Sequence, residues 1–394
     1  MRVVAKFGGT SLGNGNRVNR AADSVAAAVE AGHEVAVVAS AMGSTTDFLL
    51  DAISFEADEA DEAEIVSMGE RTSVRMLKAA LGARGVDAEF VEPGMDEWPV
   101  ITDEHGEVDV EESRRRARQL ATDMAAKGYV PVVSGFVAED RAGNVTTLGR
   151  GGSDTSALML GNHMNADEVV IITDVEGVMT GDPGVVEGAR NVGEITVDEL
   201  RNLSFRGAEV VAPSALTYKG ADMDVRVAHY QHGDLMEGGT SIEGQFDNLI
   251  DLRETPLACL TVAGRAIRNT PGILSDLSVA LSDADINVDA VSSGMDSVTF
   301  YLDGEAAERA EKILHEAVID AEPLSSVTVD DDVAVIRVTG GQLPDESGVL
   351  QDVIGPLAEE HIAVHDLITS ATSVSVFVDW ADRERALGII QDAV

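Results

Sequence analysis

Cysteine is nearly absent: Cys259 stands alone in 394 residues. That excludes an intrachain disulfide framework and leads us to expect a reducing, cytoplasmic setting. No apolar run approaches the length of a membrane span, and the first residues lack the apolar stretch of a secretory signal. Basic residues are scarce, 28 against 70 acidic ones, for a net charge of −42. Such a surface repels nucleic acid and anionic membranes, so neither is expected as a partner. What the chain does have is 44% hydrophobic residues and regular turn signals, enough for two or three globular domains with a sizeable core.

Among the basic residues lysine is the rarer, with only Lys6, Lys78, Lys127, Lys219 and Lys312. An acidic excess spread over the whole length, with so little lysine, resembles the cytoplasmic proteins of extreme halophiles. An acidic partner-binding tail would instead concentrate the charge in one segment. Against this background Lys6 is conspicuous. It ends the apolar run Val3-Val4-Ala5 and precedes Phe7-Gly8-Gly9-Thr10-Ser11, which reads as a buried strand running into a glycine loop. Adjacent glycines let a backbone approach a ligand and turn its N–H groups outward, and a lysine adds a point charge, as a phosphate requires. This is not the P-loop pattern, because the lysine comes before the glycines. An ordinary βα turn is the plain alternative.

Residues 1–250 alternate strand-like runs (3–7, 34–39, 130–134, 169–173 and 225–228) with amphipathic segments (17–31, 62–81, 111–126 and 155–164), the signature of an α/β domain. Ligands of open α/β sheets collect beyond the carboxyl ends of the strands, so the loops after Phe7, Ala39, Ser134 and Thr173 are the expected site. From about Thr255 an internal repeat takes over. A strand at 258–263, then Asn269-Thr270-Pro271-Gly272, a helix at 273–284, strands at 286–292 and 297–303 and a helix at 305–318 make the first copy. The second has a strand at 333–339, Asp345-Glu346-Ser347-Gly348, a helix at 349–360, strands at 362–370 and 373–379 and a helix at 383–393. The expected division is 1–250, 255–325 and 330–394. The second copy stops at a helix, one strand short of a β-α-β-β-α-β module.

Four further segments carry chemistry. Ser40-Ala41-Met42-Gly43-Ser44-Thr45-Thr46-Asp47 follows the second strand as a polar loop with a helix cap. Ser67-Met68-Gly69-Glu70-Arg71 lies in a helical segment, where a lone glutamate is ordinarily solvated surface. Leu148-Gly149-Arg150-Gly151-Gly152-Ser153-Asp154 is more pointed. Its glycines bare the backbone, Arg150 can grip a carboxylate or phosphate with two parallel bonds, and Ser153 or Asp154 can cap the next helix, whose N-terminus favours anions. The run from Thr173-Asp174 to Met179-Thr180-Gly181-Asp182-Pro183 closes a strand with a polar loop able to line a base and ribose.

Taken in order, Lys6-Phe7-Gly8-Gly9-Thr10-Ser11, Gly69-Glu70, the 150–154 segment and Thr173-Asp174 resemble the aspartate kinases of the amino-acid-kinase superfamily. The doubled C-terminal unit resembles that family's paired ACT domains, small regulatory modules that bind amino acids. The resemblance implies a three-layer α/β/α kinase domain with a mainly parallel sheet, followed by two ferredoxin-like ACT modules. It implies ATP-dependent phosphorylation, with Mg²⁺, of the side-chain carboxylate of L-aspartate, the first step toward lysine, threonine and methionine. By resemblance Lys6 and Asp154 are catalytic, with Asp154 orienting Lys6. Ser40, Thr46, Glu70, Arg150 and Ser153 would hold aspartate, Arg150 on its α-carboxylate and Glu70 on its ammonium. Lys6, Phe7, Gly8, Gly9, Thr173, Asp174, Met179 and Asp182 would hold the nucleotide, and no residue is assigned to a metal. The chemistry is consistent, since a carboxylate acceptor is already ionised at neutral pH and needs no general base. None of the eight histidines falls in these motifs.

Three positions depart from the family pattern. Gly184 follows Pro183 where arginine is usual, Met179 stands for tyrosine, and Gly207-Ala208-Glu209 replaces Gly-Ala-Lys. Gly184 and Glu209, with the paired ACT-like units, motivate one alternative, a catalytically inactive ACT-type sensor. A second is another enzyme of the superfamily, acting on glutamate, acetylglutamate or UMP. The paired modules also lead us to expect a homo-oligomer joined through 255–394, with an amino-acid effector, lysine or threonine, near 268–272 and 292–297.

Overall fold

The computed structural model describes residues 1–394 except 104, 205–209, 247–248, 266, 322, 341–347, 371 and 394. Gly207-Ala208-Glu209 and Asp345-Glu346-Ser347 therefore lie outside the described residues. The chain divides into two compact units, Met1–Phe246 and Asp247–Val394. Among the described residues no helix is long and apolar enough to cross a membrane.

The sheet of the first unit runs Ala88–Val91, Val130–Ser134, Glu34–Ala39, Arg2–Phe7, Glu168–Thr173, Asp224–His229, Thr240–Glu243, Glu194–Thr196. Every neighbouring pair is parallel except Asp224–His229 with Thr240–Glu243. Glu34–Ala39 and Glu168–Thr173 are buried along nearly their whole length, as unbroken apolar strands covered on both faces should be. On one face Val3, Ala5 and Phe7 pack against Val18, Ala22 and Val25 of helix Gly15–Glu30 and Val74, Leu77 and Leu81 of helix Glu59–Gly82. On the other, Val4, Val38 and Ile171 meet Leu120 and Met124 of helix Val110–Lys127 and Leu158 of helix Gly152–His163. The result is a three-layer α/β/α domain. Strand alternation puts Lys6 on the same face as Val4, one residue from the strand's carboxyl end.

Helix Gly152–His163 begins three residues earlier than the spacing predicts. Its N-cap is Gly151 at φ +75°, with no side-chain cap, so neither Ser153 nor Asp154 caps it. A left-handed cap is cheap for glycine alone, and placing it there moves Asp154 into the first turn, free for another partner.

The second unit resolves the missing strand. The 16-residue strand Leu324–Thr339 pairs along its first part with Leu257–Gly264 and along its last part with Ser373–Asp379. Leu249–Leu252, ahead of the first repeat, pairs antiparallel with the end of that long strand, Leu249 opposite Thr339. The second module therefore takes its fourth strand from outside 330–394, and the two modules are interleaved rather than strung in tandem. Equivalent residues are 76 apart, as with Leu257 and Val333 or Tyr301 and Phe377; Asp285 and His361 even share a left-handed φ, 52° and 58°. Tyr301 stacks on Phe377 with ring centroids 4.0 Å apart, and its hydroxyl donates to Asp366 at 3.1 Å. These contacts, with Leu257 and Val333 beside them, join the helix-free faces of the two half-sheets.

Candidate active site

Loops from the carboxyl ends of neighbouring strands meet around Lys6. Its Nζ lies 2.7 Å from Asp154 Oδ1, with each side chain 12% exposed. The other Asp154 oxygen accepts the Ala212 N–H at 3.2 Å. The two glycines after Phe7 are not equivalent. The Gly8 N–H donates to the Ile172 carbonyl at 3.1 Å, extending the sheet by one bond, so it is not turned outward for a phosphate as expected. The Gly9 N–H has no partner among the described residues, which leaves it as the amide available to a ligand. Gly9 is also where a side chain has no room: a Cβ would lie 2.9 Å from the Ala41 carbonyl and 3.0 Å from that of Gly43. Its carbonyl in turn accepts from Gly43 N at 2.9 Å, fastening the Lys6 loop to the loop after Ala39. Phe7 also departs from expectation. Its ring is buried in the core and its carbonyl is bonded to Ser40 N at 3.1 Å, so it has no free group for a nucleotide.

Glu70 enters from helix Glu59–Gly82. Gly69 permits the approach, since a Cβ there would stand 2.8 Å from the Ala41 Cβ. Glu70 Oε1 accepts the Ala41 N–H at 3.1 Å, while Oε2 is buried with no partner among the described residues. Burial pushes the carboxyl up to about 7, opposed in part by its backbone hydrogen bonds. A sheltered carboxylate oxygen with nothing bonded to it is an open acceptor for a cation. The solvated-surface reading of this glutamate therefore fails.

Arg150 is exposed and forms no ion pair among the described residues. The glycines beside it serve close packing: a Cβ on Gly151 would fall 2.2 Å from the Ala212 Cβ, and one on Gly152 3.0 Å from Leu148. Ser153 stands over Gly135, where a Cβ would meet its Oγ at 2.8 Å. Ser40 is half-buried, and Thr46 occupies the first turn of helix Thr45–Ala52. Thr173 ends its strand with its hydroxyl 3.3 Å from Asp174 Oδ1. Met179 and Asp182 lie on a long excursion beyond that strand. Met179 is bridged to Asn191, and Asp182 closes its own turn by accepting Gly184 N at 2.8 Å. Among the described residues no hydrogen bond ties either to the Lys6 loop.

Three contributors were missing from the sequence reading: the Ala41 and Ala212 amides and Gly135. Backbone amides leave no residue-type signal, whereas Gly135 lies in the loop after Ser134, one of the expected site loops, where nothing in its residue type singles it out.

The amino acid kinase family profile matches residues 1–229, and ACT domain profiles match residues 260–318 and 328–392. The aspartate kinase of Pseudomonas fluorescens (strain SBW25) is 32% identical over 99% of this chain and 97% of its own length. Aspartokinase 2 of Bacillus subtilis (strain 168) is 30% identical over 99% and 97%. Among solved structures, aspartate kinase from Synechocystis superposes with a TM-score of 0.80 at 26% identity, covering 99% of this chain and 69% of that one. E. coli aspartokinase III in complex with aspartate and ADP gives 0.56 at 25% identity, with 100% of both chains covered.

Proposed function

The chain belongs to the aspartokinases of the amino acid kinase family, and on that premise we propose that it transfers the γ-phosphoryl group of ATP to the side-chain carboxylate of L-aspartate, giving 4-phospho-L-aspartate. The observation that carries the reading is the sheltered Lys6–Asp154 pair at the sheet's carboxyl edge. In the proposed step a carboxylate oxygen of aspartate attacks the γ-phosphorus, the bond to the β–γ bridging oxygen breaks, and ADP leaves. No proton moves, so the site's work is positioning and charge stabilisation. Lys6 and the Gly9 amide face the charge spread over the migrating group. Asp154 orients Lys6 and accepts no proton. The open Glu70 oxygen takes the substrate ammonium, Arg150 its α-carboxylate, and Ser40, Thr46 and Ser153 complete the pocket. Thr173 and Asp174, which follow the Ile172 carbonyl that holds Gly8, are proposed to contact the nucleotide. Met179 and Asp182 are proposed to contact the nucleotide from the outlying excursion. Mg²⁺ enters as the counter-ion that ATP brings. Among the described residues no cluster of three or more His, Cys, Asp or Glu could hold a metal, and Mg²⁺ at such sites takes much of its coordination from phosphates.

The test is hydroxamate formation from aspartate, ATP and hydroxylamine, run in molar KCl to suit the acidic composition. Hydroxamate is expected with aspartate and not with glutamate or acetylglutamate, and UMP, which gives no acyl phosphate to trap, should not raise ADP release. A folded protein that yields none from aspartate would overturn the reading and favour the inactive sensor. Gly69→Ala probes the substrate side. Forcing a methyl against Ala41 shifts Glu70, so the KM for aspartate should rise about tenfold or more, from a typical overpacking cost of ~1–3 kcal/mol, with the KM for ATP unchanged. Equal changes in both KM values would show a general disturbance instead.

Regulation is proposed for the second unit. Ile267, Thr270, Gly272, Ser293, Gly294 and Met295 line a cavity of about 600 Å³ where the two expected effector loops meet. An amino-acid effector there, lysine or threonine, should alter activity in a titration with each. The modules are further proposed to join copies of the chain through 255–394. Light scattering at high salt should give a homo-oligomer, and a monodisperse monomer would refute that assembly.

A further inference from the structure

Asp154 is held from two sides. One oxygen meets Lys6 Nζ at 2.7 Å, and the other accepts the Ala212 N–H at 3.2 Å. A carboxylate tied only to a flexible lysine can turn about its last bond, whereas an amide on the second oxygen fixes the plane of the group. That amide sits on a turn packed tightly against the start of the Asp154 helix. Gly151 is what allows the approach, since a Cβ there would fall 2.2 Å from the Ala212 Cβ. A second tie follows at Thr155 and Ser214, whose hydroxyl oxygens are 3.5 Å apart. Val211, just before the amide, is buried in the main core. The left-handed conformation at 151 does not by itself call for a neighbour this close, but delivery of the Ala212 N–H to Asp154 does.

We infer that the Ala212 backbone N–H is a positioning group for phosphoryl transfer. It locks the Asp154 carboxylate so that Asp154 in turn fixes where the Lys6 ammonium meets the migrating group. The inference rests on the aspartate kinase reading above and adds to it a residue with no reactive side chain. It also gives the glycine at 151 a function in the chemistry, as the space through which the turn reaches the carboxylate. Alanine is required at 212 for no chemistry of its own; any residue that keeps the N–H and a small Cβ should serve.

The experiment removes the donor and spares the rest. Ala212→Pro should lower kcat tenfold to a hundredfold while the KM for aspartate and for ATP each stay within about twofold, because a hydrogen bond to a charged group is lost and no substrate contact is. Ala212→Ser keeps the N–H and should turn over like wild type. Because a proline also restrains the backbone, the companion measurement replaces the Ala212 amide by an ester, with lactic acid incorporated at that position. Turnover is normalised to the sites that bind an ATP analogue by calorimetry. A merely structural amide would lower the melting temperature and the number of binding sites, leaving kcat per site unchanged. Wild-type kcat per site in the ester variant, or an equal loss in Ala212→Ser, overturns the inference. Wild-type protein that forms no hydroxamate overturns the kinase reading, and this inference with it.

Discussion

Lys6→Ala should lower kcat by about a thousandfold while the protein still folds and still binds aspartate. Lys6 is a sheltered cation near the carboxyl edge of the sheet, its placement fixed 2.7 Å from Asp154. Removing a single preorganised donor to developing charge typically costs ~10²–10³ in kcat. Here the loss compounds, because alanine also leaves the Asp154 carboxylate near the migrating phosphoryl without its countercharge. Like charge then faces like charge in a water-poor site. The second effect can be separated from the first. Asp154→Asn removes the stranded charge, so Lys6→Ala combined with Asp154→Asn should be no slower than Lys6→Ala alone, as expected for residues that act as a unit. Strictly additive losses would mean that Asp154 has a task independent of Lys6. Near-normal turnover of Lys6→Ala would remove Lys6 from the chemistry.

The parts of this site that were legible in the sequence are those written in residue types. Lys6 was conspicuous because the chain otherwise avoids lysine, and Asp154 because three glycines and an arginine surround it. What stayed hidden is backbone chemistry. Gly8 and Gly9 look identical on paper, yet the sheet consumes one amide and leaves the other, a difference set by hydrogen-bond register and not by residue type. Phe7 sits inside the motif that points to a nucleotide, although strand alternation turns it toward the helix core on the opposite face from Lys6. Side-chain caps at Ser153 or Asp154 point to a later helix start than the structure shows, because a left-handed glycine at 151 takes the cap position. In the second unit the repeat was plain, since apolar positions recur at a fixed offset. The strand it lacked was not, because Leu249-Ile250-Asp251-Leu252 is four residues long and lies before the repeat begins. So short a segment carries no periodicity of its own, and only pairing with the end of the Leu324–Thr339 strand identifies it.

Glu70→Gln should make the protein more stable at alkaline pH and, at the same time, a much poorer enzyme. Burial raises the folded-state value of Glu70 from 4.5 to about 7. Below the unfolded value both states are protonated, and ionisation contributes nothing to stability. Between there and about 7 the unfolded chain ionises while the folded chain resists, so stability falls as pH rises. Above about 7 the penalty levels off at ~3 kcal/mol, taking 1.36 kcal/mol for each unit of displacement. Glutamine keeps an acceptor for the Ala41 N–H and does not titrate. Its buried amide carries a desolvation cost of its own, but that cost does not depend on pH. The readout is therefore the difference between variant and wild type in denaturant unfolding at pH 8 and again at pH 4.5. That difference should move by ~3 kcal/mol in favour of the variant on going from the lower pH to the higher. Over the same range wild-type kcat/KM for aspartate should fall as pH drops below about 7, because a protonated Glu70 cannot balance the substrate ammonium. The variant should lose this pH dependence, and its KM for aspartate should rise by ~10² or more, the usual cost of leaving a buried charge unpaired. If stability shows no such pH dependence and the KM for aspartate is unchanged, Glu70 is a structural carboxyl and not the ammonium site. If both hold, the unpaired Glu70 oxygen is stability given up for substrate, and the fold tolerates a buried, destabilising charge because aspartate neutralises it on binding.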